Sequence, residues 1–82
     1  MNKKIEKYHV NSHDTIEKVL KVFQYTSDNR MPTGIAVVVD SNKNVVGVIS
    51  EGDIRRALLK NSNIDSQISH IYQKYFIFLK VL

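Results

Sequence analysis

Residues 47–59 read GVISEGDIRRALL, and this stretch has the pattern of a buried strand that runs directly into a helix. Ser50 lies where a helix N-cap is expected, and Asp53 falls one turn further on. The first turn of a helix has backbone N–H groups without partners inside the helix, and the peptide dipoles place partial positive charge there. Gly52 carries no Cβ that would obstruct a ligand. The junction is therefore a candidate site for a phosphorylated nucleoside.

Two apolar, β-branched segments lie before and at the start of this stretch. Residues 35–39 read IAVVV and residues 45–49 read VVGVI, which predicts two strands joined by a polar hairpin turn at 40–44. The nearly continuous apolar character of 35–39 predicts a strand that is covered on both faces. A helix from about Glu51 to Leu59 is expected to follow.

The N-terminal half predicts a strand over 5–10, a turn over 11–13 and then an amphipathic helix. Asp14 and Glu17 have the spacing of a capping box with Asp14 as the N-cap. The apolar stripe that should face the core consists of Ile16, Val19, Leu20 and Phe23. Residues 27–34 are rich in turn formers and predict a loop, and Asp65 or Ser66 is expected to cap a short third helix that ends at Ile71.

Composition narrows the class of protein. The chain has 82 residues, of which 43% are apolar and 24% charged, as expected for one small globular domain. It has no cysteine, which excludes disulfides and thiolate metal sites, and no apolar run of membrane length, so we expect a soluble, cytoplasmic protein. The net charge of +4 comes from scattered basic residues, which favours anionic small molecules over nucleic acid.

A catalytic or metal-binding role is not indicated. Ser50 has no neighbouring His or Lys base that would make it a nucleophile. The histidines lack the spacing of metal ligands on one helix; they are His9, His13 and His70. The sequence therefore predicts a binding module rather than an enzyme.

The order strand, helix, strand, strand, helix resembles the cystathionine β-synthase (CBS) domain, a regulatory module. The resemblance rests on the helical stripe of 16–23, the strand that ends at Asp40 and, above all, residues 47–53. That last segment fits a motif of Gly, two apolar residues, Ser or Thr, two variable residues and Asp. The resemblance implies an α+β fold, with one β-α-β-β-α motif over residues 1–71 and a small mixed sheet packed on two helices.

The resemblance also implies a ligand. Asp53 would accept hydrogen bonds from the ribose hydroxyls of an adenosine compound and Ser50 would contact its phosphate, with Gly52 leaving room. The implied neighbours of the adenine lie at the entry to the first of the two strands; they are Gly34, Ile35 and Ala36. AMP, ADP, ATP and S-adenosylmethionine all fit as the regulatory ligand. The alternative is a ligand-free dimerisation or structural module in which Ser50 and Asp53 only cap the helix.

Partners follow from the same resemblance. CBS motifs normally occur as tandem pairs, whereas residues 72–82 resemble the connection and opening strand of a second motif that the chain does not complete. A homodimer that substitutes for the missing repeat is therefore expected, with no membrane or nucleic-acid partner. Residues 52–59 most resemble modules at the N-terminus of bacterial sugar-phosphate nucleotidyltransferases, which implies a regulatory front end with the catalytic domain of a parent enzyme as partner.

Overall fold

The computed structural model describes residues 9–31 and 33–74. In chain order they form strand β1 (His9–Asn11), helix α1 (Ile16–Asp28), strands β2 (Ile35–Val39) and β3 (Val45–Ser50), helix α2 (Glu51–Leu59) and strand β4 (Gln73–Lys74). This is the predicted α+β unit with a small mixed sheet and two helices. The predicted first strand extends to residue 5, and its residues 5–8 lie outside the described residues, as do residues 75–82 of the predicted opening strand.

The four strands form one sheet in the order β1-β2-β3-β4. β1 and β2 are parallel and are connected through α1, whereas the β2–β3 and β3–β4 pairs are antiparallel. The predicted hairpin turn is confirmed, and Asp40 organises it, since its Oδ1 accepts from the backbone N–H groups of Asn42 and Asn44 at 2.9 Å each. Such side-chain acceptors fix a turn because they satisfy backbone donors that have no strand partner.

One face of the sheet is covered by the core and the other is not. The buried apolar cluster is made of Val10, Ile16, Val19, Val22, Phe23, Ala36, Val38, Ile49, Ile54 and Ile68. In β2, Ala36 and Val38 belong to this cluster, but Ile35 is 55% exposed and Val37 38% exposed. The expectation that β2 is covered on both faces is therefore wrong, because side chains alternate along a strand and both helices supply the core on one side.

Helix α1 differs from its prediction at its start and on its buried face. The N-cap is Thr15, whose Oγ1 accepts from the Lys18 N–H at 3.3 Å. Asp14 is not the cap, because its Oδ2 accepts from the Asn11 N–H at 2.8 Å and so closes the preceding turn. The helix continues to Asp28, two residues into the predicted loop. Leu20 is on the exposed side, and the buried side includes Val22 and Thr26 in addition to the other predicted residues.

The third helix predicted before Ile71 does not form. Residues 62–72 instead run as turns against the start of α1, where the carbonyls of Ser66 and Ile64 accept from the N–H groups of Ile16 and Glu17 at 2.9 Å each. These are donors that the first turn of α1 cannot satisfy internally. The Ile68 N–H returns a bond to the Asp14 carbonyl at 2.9 Å. Two backbone groups that a third helix would use, the Ser66 carbonyl and the Ile68 N–H, are therefore bonded to residues at and just before the start of α1.

Among the helices formed by the described residues, none combines the length and the apolar character needed to cross a membrane.

Candidate functional site

Ser50 and Asp53 form a complete capping box at the junction of β3 and α2. Ser50 has extended backbone angles and is the N-cap, and its Oγ accepts from the Asp53 N–H at 3.2 Å. Asp53 Oδ2 accepts from the Ser50 N–H at 2.9 Å in return. The predicted N-cap is confirmed, and the reciprocal bonds fix the position of the Asp53 carboxylate relative to the strand end.

The second oxygen of Asp53 is also engaged. Oδ1 accepts from Arg56 Nη2 at 2.7 Å and from Gln73 Nε2 at 3.3 Å. The Asp53 side chain is only 5% exposed, whereas that of Arg56 is 59% exposed. Burial by itself would raise the pKa of Asp53, but the hydrogen bonds from Ser50, Gln73 and Arg56 outweigh it and hold that pKa below its usual value. The group is thus an anionic acceptor at neutral pH.

A cavity of about 320 Å³ opens beside Asp53. Its lining comprises Asp53, Arg56, Ala57, Lys60, Ser62, His70, Ile71 and Gln73. Basic and hydroxyl side chains thus surround the buried carboxylate. Gly34, Ile35 and Ala36 are not among the lining residues, so the predicted adenine neighbours and the carboxylate do not share this cavity.

Gly34 and Ile35 lie next to the capping box on the sheet. The Gly34 carbonyl accepts from the Glu51 N–H at 2.9 Å, and Ile35 pairs with Ser50 across β2 and β3. Gly34 has φ +89°, a conformation that glycine adopts without steric cost. Because paired residues share a face, the exposed Ile35 side chain lies on the same side of the sheet as Ser50.

Ala36 has a different environment. It pairs with Ile49 and is 3% exposed, within the buried cluster. Its side chain is therefore directed into the core.

Gly52 is flanked by two guanidinium groups. A Cβ at this position would lie 3.2 Å from Arg56 Nη1 and 3.7 Å from Arg55 Nη2. Side chains of a helix are directed toward its N-terminus, so these two consecutive arginines both reach back to the first turn of α2. Two guanidinium groups therefore lie at the helix start, together with two acidic residues of its first turn, Glu51 and Asp53.

Sequence reasoning missed the role of Arg56 and Gln73. The contact between Arg56 and Asp53 could have been predicted from the sequence, since residues three apart on a helix are neighbours and opposite charges at that spacing attract. The Gln73 contact could not, because it joins positions 20 residues apart through the turns of 62–72. As for metals, the described residues contain no group of three His, Cys, Asp or Glu side chains that could hold an ion.

Comparison with known proteins gives both short sequence matches and matches to the whole fold. Uncharacterized proteins of two Helicobacter pylori strains are 49% and 46% identical over 37 residues, which is 45% of this chain and 11% of those proteins. The chain thus spans about a tenth of the length of the curated relatives it matches.

Two solved structures share the fold. A CBS domain protein from Pyrobaculum aerophilum complexed with AMP has 28% sequence identity and a TM-score of 0.63, covering 80% of this chain and 50% of that one. A CBS domain protein of unknown function from Thermoplasma acidophilum has 24% identity and a TM-score of 0.62, covering 82% of this chain and 36% of that one.

The family model of the CBS domain matches residues 1–60, a span that includes both helices, the hairpin and the Ser50–Asp53 capping box. The chain therefore belongs to the CBS domain family, whose members are typically regulatory and bind nucleotides.

Proposed function

We propose that this chain is a regulatory module that senses an adenosine nucleotide at the junction of β3 and α2. The observation that carries the proposal is the Asp53 carboxylate, which is held ionised by its neighbours at the edge of a cavity lined by basic side chains. A carboxylate can accept from two adjacent ribose hydroxyls, as the acidic residue of dinucleotide-binding folds does. The AMP complex of the Pyrobaculum aerophilum protein supports the same ligand class.

The other proposed contacts come from the resemblance to the family, and the positions of the residues support them. Ser50 and the first turn of α2 would contact the phosphate, with Gly52 leaving the approach open. Ile35 offers an exposed apolar surface to the adenine, with Gly34 and Ala36 as its neighbours in sequence. Arg55 and Arg56 favour AMP, ADP and ATP over S-adenosylmethionine, because a sulfonium group is cationic.

We propose further that the module pairs with a second copy through the uncovered face of the sheet. Ile35 and Val37 are exposed there, and Val48 shares the face because it pairs with Val37. Burying this apolar face in a homodimer would supply the second motif that CBS domains commonly have. Since Ser50 lies on the same face, pairing would bring the nucleotide site next to the interface. Residues 72–82 are proposed to be the start of an incomplete second motif that follows one at 1–71.

The proposed parent is a cytoplasmic sugar-phosphate nucleotidyltransferase, with this non-catalytic module at its front. Its support is the resemblance of residues 52–59. In such a protein a nucleotide would act by population shift, because it binds one arrangement of the paired modules better than another and so biases the attached catalytic domain.

A second candidate function is a ligand-free dimerisation module. The observation that favours it is that the capping box is closed and both Asp53 oxygens have donors from within the chain. In that case Ser50 and Asp53 serve stability alone.

The experiment is a calorimetric titration of the chain with AMP, ATP and S-adenosylmethionine, with light scattering on the same samples. Saturable binding of a phosphorylated ligand is expected, and Asp53→Ala should abolish it. Asp53→Asn keeps the side-chain shape, so loss of binding in this variant would not be due to loss of the fold. Asp65→Ala, in an exposed turn, is the matched control that should still bind. A folded dimer that binds none of the three at millimolar concentration would leave the dimerisation module as the function.

A further inference from the structure

We propose that Gln73 of β4 competes with the ribose for Asp53 Oδ1, so that nucleotide binding and the docking of β4 oppose each other. The inference rests on the proposed function, because it concerns the same carboxylate.

Both carboxylate oxygens of Asp53 already accept hydrogen bonds from within the chain. Oδ2 is committed to the Ser50 N–H, which α2 needs for its capping box. Oδ1 already accepts from Arg56 and Gln73. The carboxylate thus already has three donors and its side chain is only 5% exposed, so a ribose hydroxyl reaches Oδ1 only if one of the two donors there moves aside.

The two donors to Oδ1 differ in how strongly they bind the carboxylate. The bond from Arg56 is 2.7 Å long and joins two charged groups, whereas the bond from Gln73 is 3.3 Å long and its donor is a neutral amide. The acceptor is ionised in both bonds, but only the Arg56 bond also has an ionised donor. A hydrogen bond between opposite charges is shorter and stronger than one with a neutral donor. Gln73 is therefore the donor that a ribose hydroxyl displaces.

The bond from Gln73 also helps to attach β4 to the sheet, because Gln73 is a residue of that strand. Within the described part of the chain, β4 comprises Gln73 and Lys74, which pair with Val48 and Gly47 of β3, and both are exposed. The side-chain bond from Gln73 to the buried carboxylate adds to these ladder bonds in holding β4 to the sheet. A ligand that takes this bond loosens β4, and by linkage a variant that lacks it binds the ligand more tightly.

The consequence is a route from the nucleotide to the edge of the sheet, because occupancy at Asp53 is passed through Gln73 to β4. No change in α2 is needed, because Ser50 and Oδ2 keep their bonds.

The test is calorimetric titration with AMP of the unaltered chain, Gln73→Ala and Gln67→Ala. Gln67 is an exposed glutamine that makes an isolated backbone bridge with Thr15, so its variant is the matched control. We expect Gln73→Ala to bind AMP about threefold to tenfold more tightly, the size of one modest hydrogen bond, and Gln67→Ala to match the unaltered chain. Amide hydrogen exchange at Val48 and Gln73 should become faster on saturation with AMP.

The outcomes separate the two proposals. Equal or weaker AMP binding by Gln73→Ala, or slower exchange at Val48 and Gln73 in the complex, overturns the competition and leaves nucleotide sensing in place. Absence of binding by the folded unaltered chain and by the folded Gln73→Ala variant overturns both, since releasing the carboxylate would then not create a site. Binding by Gln73→Ala alone supports the competition in its strongest form.

Discussion

Gly47 lies directly against the carbonyl of Gln73, and a Cβ at position 47 would overlap that oxygen. The obstacle is backbone, which cannot rotate away as a side chain can. Gly47→Ala is therefore expected to displace β4 and to lower the free energy of unfolding by about 1–3 kcal/mol, as overpacked sites do. Urea denaturation followed by circular dichroism measures this loss. Unchanged stability together with unchanged amide exchange at Val48 would contradict it.

Gly52→Ala, in contrast to Gly47→Ala, is expected to raise the free energy of unfolding. A Cβ at position 52 would lie 3.2 Å from Arg56 Nη1, 3.6 Å from Ser50 Oγ and 3.7 Å from Arg55 Nη2, and the tightest of these neighbours is the end of a long side chain that is 59% exposed. Alanine is favoured over glycine inside a helix by up to about 1 kcal/mol. The same denaturation experiment should show a gain of up to that amount, and a loss would mean that the Arg56 guanidinium cannot give way.

Ser50→Ala removes the acceptor for the Asp53 N–H. The loss of an N-cap hydroxyl costs about 1 kcal/mol, with a range of about 0.5 to 2 kcal/mol. Ser50→Thr retains the hydroxyl and should recover most of this stability, whereas Ser41→Ala, in the exposed hairpin turn, should have no effect. Equal stability of the alanine and threonine variants would show that the hydroxyl does not cap α2.

Stability should fall in acid through Asp53. Its pKa is lowered in the folded state because, despite burial, Ser50, Gln73 and Arg56 donate to it. Between that value and the unfolded pKa of about 3.9, the unfolded chain binds more protons. The contribution is thus fully present above about pH 4 and is lost as the pH falls through the folded pKa.

The measurement for this pH effect is the unfolding free energy of the unaltered chain and of Asp53→Asn at a series of pH values. The difference between the two proteins should shrink as the solution is acidified below about pH 4. Parallel curves would mean that the carboxylate charge contributes nothing to the fold.

Val37→Lys tests the proposed dimer face. Val37 is exposed on the uncovered side of the sheet, so a lysine there should weaken self-association while the fold is retained. Leu59→Lys, at the exposed end of α2, is the control. Light scattering over a concentration series should show a monomer for the first variant and a dimer for the second, and the reverse result would move the interface to the helices.

The sequence predicted best what is encoded locally. The bounds of α2, Glu51–Leu59, follow from a cap and an apolar pattern that lie within a few residues of each other. The start of α1 was misplaced by one residue because Asp14 and Thr15 are both good caps, and only the turn at Asn11 decides between them. The exposure of Ile35 and Val37 could not be read from an apolar run, because composition does not say how many layers cover a sheet.

In the candidate site too, contacts between residues close in sequence were predictable and long-range contacts were not. Ser50 and Asp53 are close in sequence and their mutual bonds were predictable as a capping box. Gln73 reaches Asp53 only because residues 62–72 fold back along α1, and such long-range contacts leave no local pattern. Ala36 was grouped with Ile35 because the family resemblance implies adenine contacts at the entry to β2, although alternation along the strand sends its side chain into the core.

The turns of residues 62–72 have a consequence for where the chain can be cut. Truncation after residue 60, the end of the stretch matched by the family model, would remove Ile68 from the core and leave the N–H groups of Ile16 and Glu17 without acceptors. The shortest autonomous folding unit is therefore longer than the recognisable motif. A fragment designed from the motif alone would fail for want of a segment that carries no recognisable signature of its own.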